Sequence, residues 1–140
     1  MLGRSCNLAN KKAQESRRRN YLEKTNKIIV IDNYENLAKA YASILQKSGY
    51  TADTAQTYKE AMEKTCANHY ALAILDAEIP DSTRILQKLA KSKTIKIVIT
   101  DFPEETILKG ADACLTKIVK PKDLLFLIEK MLKEKQTMNR

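Results

Sequence analysis

The sequence predicts an α/β fold: a doubly wound, five-stranded parallel sheet with helices on both faces. Two patterns carry this. Short β-branched apolar runs of buried-strand type alternate with segments whose apolar residues recur at helical spacing. The chain is also the right size, since 140 residues with 44% hydrophobic and 30% charged residues suit one globular domain.

The elements follow in order. Ile28–Ile31, ending in Asp32, is the first strand. Glu35–Ser48 reads as a helix with Leu37, Ala40, Tyr41, Ile44 and Leu45 inward, stopped by Gly49. Thr51–Ala55 is a weak second strand, and Tyr58–Asn68 a helix facing inward through Ala61 and Met62. Ala71–Asp76 is the third strand, Thr83–Lys91 a helix, and Ile95–Thr100 the fourth strand. Glu104–Lys109 is a short helix ended by Gly110, and Ala113–Thr116 the fifth strand. Pro121–Lys135 is the last helix, with proline tolerated in its first turn. Right-handed crossovers at this length favour the flavodoxin-like strand order 2-1-3-4-5. The domain is expected over residues 27–136, after a basic arm at 1–26 and before a tail at 137–140.

Several function classes are excluded. Only Gly3, Gly49 and Gly110 exist, so neither a P-loop nor a Gly-x-Gly-x-x-Gly phosphate loop can be built. One histidine and no Cys-x-x-Cys exclude a His/Cys zinc centre made by this chain alone. The apolar runs are too short to span a bilayer, and the first residues lack a secretory apolar core. Cys6, Cys66 and Cys114 are therefore expected as reduced thiols in a cytoplasmic protein.

Polar groups stand at the carboxyl ends of the strands, where open α/β sheets bind ligands. Asp32 ends the first strand, Asp76 the third and Thr100 the fourth, and Lys117 follows the fifth. Two carboxylates, a hydroxyl and an ammonium on one rim suit a divalent cation plus a phosphoryl group.

With these residues in place, the chain over about residues 26–135 resembles the receiver domain of two-component response regulators. The resemblance rests on Ile-Ile-Val-Ile-Asp32-Asn33, Ala-Ile-Leu-Asp76-Ala-Glu-Ile-Pro80, Ile-Val-Ile-Thr100 and Gly110-Ala-Asp-Ala-Cys-Leu-Thr-Lys117. It implies that Asp76 is the phosphoacceptor, taking a phosphoryl group from a sensor histidine kinase or phosphotransfer protein. It further implies a Mg²⁺ held by Asp32, Asn33, Asp76 and the backbone carbonyl of Glu78, with Thr100 and Lys117 binding the phosphate. A signalling phosphoacceptor, rather than an enzyme, with an unknown downstream protein partner is the expected role. Lys117 fits the family lysine by its spacing from Gly110, better than Lys120 does, and Ile118 then replaces the usual proline.

The chain departs from the family pattern in specific places. Asn33 stands where a second acidic residue is usual, so Mg²⁺ affinity should be weak. Asp101 replaces a small residue, and Cys114 occupies the position of the switch aromatic. The segment after Pro80 lacks the family's glycine, and the fourth helix is short. These departures motivate an alternative: a phosphorylation-independent interaction module on a receiver fold.

The net charge of +8 is uneven. Residues 1–27 carry eight basic and two acidic groups, against 17 and 15 in residues 28–140. The arm reads as a solubilising tail, a nucleic-acid contact through Arg17, Arg18 and Arg19, or a docking helix. The chain ends five residues past Lys135, so the expected receiver stands alone, without a fused C-terminal output domain.

Overall fold

The computed structural model describes residues 26–103 and 110–138. The expected helix at 104–109 and the basic arm with Arg17, Arg18 and Arg19 lie outside the described residues. Five strands form one parallel sheet: β1 (Lys27–Ile31), β2 (Thr51–Ala55), β3 (Leu72–Asp76), β4 (Ile95–Thr100) and β5 (Ala113–Thr116), in the order β2-β1-β3-β4-β5. Four helices are described: α1 (Glu35–Lys47), α2 (Tyr58–Ala67), α3 (Ser82–Leu89) and α4 (Pro121–Met138). The sheet matches the sequence expectation, with helix ends shifted by one to three residues.

Side-chain alternation divides the core into two layers. Ile28, Val30, Leu72, Ile74, Ile95, Ile97 and Ile99 pack with Ala38 and Leu45 of α1 and with Leu124, Ile128 and Leu132 of α4. Ile29, Ile31, Ala73, Leu75 and Val98 face the other way, toward Ala61 of α2 and Ile85, Leu86 and Leu89 of α3. Central strands buried on both faces explain why their sequences are continuous apolar runs rather than alternating ones.

Two sequence expectations are corrected here. Leu37, expected inward on α1, is 38% exposed, and Ala40 is exposed as well, while Ala38, Ala42 and Leu45 are buried. The buried stripe thus runs through small residues, which let the helix approach the sheet. The expectation of three reduced thiols fails at Cys66, which is disulfide-bonded; Cys114 is free.

Local chemistry sets the helix ends. Thr57 caps α2 by accepting from Glu60 N at 3.1 Å, and Glu60 returns a bond to Gln56 N at 3.2 Å, close to a capping box. Gly49, just past α1, takes φ +96, the left-handed conformation that glycine adopts without strain. The turn into α3 has no glycine. Asp81 itself adopts φ 65 there, a conformation Asp tolerates better than most residues.

Candidate phosphoacceptor site

The register of the central strands builds the site. Ile31 pairs with Leu75, so the next residues, Asp32 and Asp76, leave the sheet side by side at the switch in strand order. They are 3% and 2% exposed, and their buried carboxylates are close enough to repel. Asp32 Oδ1 accepts from Tyr34 N at 2.9 Å, which shapes the entry to α1. Asp76 Oδ1 accepts from Glu78 N at 3.0 Å and pairs with Lys117 Nζ at 3.1 Å. Asp76 Oδ2 is buried with no hydrogen-bond partner.

Lys117 is brought in by β5. Its amide donates to Thr100 O at 3.1 Å, extending the β4–β5 ladder one residue beyond the Thr100–Thr116 pair. Its ammonium bridges Asp76 and Glu78 Oε2, the latter at 3.0 Å. The Lys117–Ile118 peptide is cis.

The electrostatics follow from this crowding. Burial holds the Asp32 carboxyl above its ordinary value, opposed by the Tyr34 amide and reinforced by the negative charge of Asp76. Burial pulls Lys117 down, but Glu78 and Asp76 outweigh it, so its ammonium is held above the usual range. Burial raises the Tyr41 phenol on α1, and the charges of Asp32 and Asp76 raise it further.

The structure thus brings together Asp32, Asp76 and Lys117. Thr100 is buried at the adjacent strand end, on the face shared with Val98, and its hydroxyl accepts from Phe102 N at 3.0 Å. Asn33 is exposed beside Asp32, and Asp101 is exposed past Thr100. Cys114 is half-buried against the α2–α3 layer, and burial raises its thiol above the ordinary value. The ion pair from the Glu78 side chain to Lys117 was not foreseen. Its signal is the acidic residue two positions after Asp76, where the family resemblance puts a side chain over the site as well as a backbone carbonyl.

The donor set suits a divalent cation. Asp32 and Asp76 supply hard carboxylate oxygens, they repel each other, and one buried oxygen lacks a partner; these residues fit a small hard cation. Among the described residues there is no cluster of three or more His, Cys, Asp or Glu side chains that could hold a metal. The remaining ligands would have to be an amide, a carbonyl or water.

Residues 28–129 match the family model of the response regulator receiver domain. The chain belongs to that family. Among curated relatives, Response regulator ArlR of Staphylococcus saprophyticus is 27% identical over 121 residues, covering 81% of this chain and 55% of the relative. Regulatory protein VanR of Enterococcus faecium is 27% identical over 117 residues, covering 78% and 51%. The chain spans about half the length of the curated relatives it matches. Among solved structures, a CheY-like response regulator receiver domain protein from Methanospirillum hungatei superimposes with a TM-score of 0.75 at 29% identity, covering 81% of this chain and 98% of that one. Response regulator TrrA of Thermotoga maritima, solved with Mg²⁺ and BeF, gives 0.68 at 27% identity, covering 75% and 97%. The sheet order of this receiver domain is thus the one its sequence predicts. Among the described residues, no helix is long and apolar enough to cross a membrane.

Proposed function

We propose that this receiver accepts a phosphoryl group on Asp76 from a phosphohistidine of a sensor kinase or phosphotransfer protein, and passes the signal to a downstream protein. The observation that carries the reading is the state of Asp76. Its Oδ1 is occupied by the Glu78 amide and Lys117, while its buried Oδ2 has no partner. Oδ2, the carboxylate oxygen left without a protein partner, is the proposed nucleophile.

In the reaction, Asp76 Oδ2 bonds to phosphorus as the nitrogen–phosphorus bond breaks. The electron pair leaves with the imidazole, which takes up a proton. Lys117, already paired with Asp76, neutralises charge on the transferred oxygens, and the buried walls hold the carboxylate in line. Asp32, Asn33, Asp76 and the Glu78 carbonyl would hold Mg²⁺, which when bound would supply further neutralisation of the phosphoryl oxygens. Its affinity is weak, because Asn33 brings no charge and only two carboxylates are at hand. That TrrA was solved as a Mg²⁺–BeF complex supports a Mg²⁺-dependent site in this fold. Thr100 closes on the new phosphate after releasing Phe102 N, which couples the site to the segment that follows β4.

Incubation with Mg²⁺ and phosphoramidate, followed by intact mass measurement, tests the reading. A mass gain of one phosphoryl group that needs Mg²⁺ and is lost in Asp76→Asn is expected. No gain, or a gain retained in Asp76→Asn, overturns it.

A further inference from the structure

At the amino end of the sheet, opposite the carboxylates, lysines rather than acids are drawn inward. Lys96, the second residue of β4, interrupts an otherwise apolar strand and has a side chain only 11% exposed. Its ammonium pairs with Asp112 Oδ2 at 3.1 Å and donates to Thr94 O at 3.2 Å. That accounts for two of its three donors. The same Asp112 oxygen also accepts from Lys96 N at 2.7 Å, so this carboxylate is shared. Lys135, on the last turns of α4, donates to Lys93 O, which leaves two donors uncommitted. The two side chains border one open cleft of about 450 Å³, together with Lys93, Asp112, Met131 and Glu134.

The arrangement is costly as it stands. Burial pulls Lys135 below its ordinary value, and the charges of Lys93 and Lys96 add to this against the opposing pull of Asp112. Folding has gathered the side chains of Lys93, Lys96 and Lys135 around one cleft, against the carboxylates of Asp112 and Glu134, with Ile95 and Met131 as an apolar wall. A tetrahedral oxyanion accepts several such donors at once and relieves the repulsion among them.

We propose that this cleft binds a small organic phosphate, with its phosphate on Lys96, Lys135 and Lys93 and its apolar body against Met131. Lys96 and Thr100 stand near opposite ends of β4, so the site is separate from the Asp76 centre and does not depend on its assignment.

The full chain, ¹⁵N-labelled, is titrated with phenyl phosphate, with phenol and with inorganic phosphate at matched ionic strength. Phenyl phosphate should give saturable amide shifts at residues 93–96, 112–113 and 131–135. Phenol should give none, and inorganic phosphate should bind at least about tenfold more weakly, about 1.4 kcal/mol. Lys135→Gln should weaken phenyl phosphate at least about tenfold, while Lys135→Arg retains it. Lys135 lies near the end of α4, so both variants should fold, which their amide spectra check. Absence of saturable shifts, equal binding of phenyl and inorganic phosphate, shifts confined to the Asp76 end, or full affinity in Lys135→Gln overturns the proposal.

Discussion

The two ends of the sheet are electrostatic opposites. At the carboxyl rim, Asp32 and Asp76 are buried, and Lys117 pairs with Asp76. At the amino floor, Lys96 pairs with Asp112, and Lys135 lies within its field. Each end holds more like charge than its counter-charge can satisfy, and the sign of the surplus sets what each recruits: a cation at the rim, an anion at the floor. Buried like charges are tolerated where a ligand completes them, so the comparison separates sites from ordinary ion pairs such as Glu35–Lys39, which is exposed at both partners.

The largest test of this contrast removes the rim's counter-charge. Lys117→Met leaves Asp32 and Asp76 facing each other with no ammonium. Urea unfolding at neutral pH should lose about 2–3 kcal/mol, less than for a fully buried pair because Lys117 is partly exposed. Lys96→Met makes the corresponding cut at the floor. Asp112 is 43% exposed and can turn to water, so the same measurement should show a loss of only about 0.5–1 kcal/mol. Equal losses at the two ends would break the comparison.

A third test uses pH. The carboxyl of Asp32 is raised in the folded state, so the folded chain holds that proton more tightly than the unfolded chain does. Its favourable share is therefore present below the unfolded value of 3.8 and is lost as pH rises through the folded value. Asp32→Asn should be more stable than the parent above that window and indistinguishable below it. Adding Mg²⁺ should shrink the difference by stabilising only the parent. Chemical denaturation across pH, with and without Mg²⁺, reads this directly. The smallest effect is expected from Glu78→Gln. Its side chain is 54% exposed, so the loss of its pair with Lys117 should cost no more than about 0.5 kcal/mol in the same unfolding assay.

Much of this was legible in the sequence, and the exceptions have physical causes. The strands were readable because both faces of the sheet are covered, which makes each central strand a continuous apolar run. Asp32 and Asp76 were readable because the polar residue that ends such a run must lie at the rim. The inward face of α1 was misread because Leu37 outranks Ala38 in hydrophobicity, whereas close approach to the sheet favours the smaller side chain. The role of Lys96 was hidden because its partner lies sixteen residues away, and only the pairing of β4 with β5 brings them together. The phosphate-binding role of Thr100 rests on family resemblance alone, and in this structure its hydroxyl accepts from Phe102 N.

One backbone hydrogen bond has a mechanical consequence. Because Lys117 N donates to Thr100 O, the lysine and the threonine are yoked across adjacent strands. Neither can be displaced far without dragging the other's main chain. A displacement of the Lys117 main chain is therefore carried directly to the end of β4.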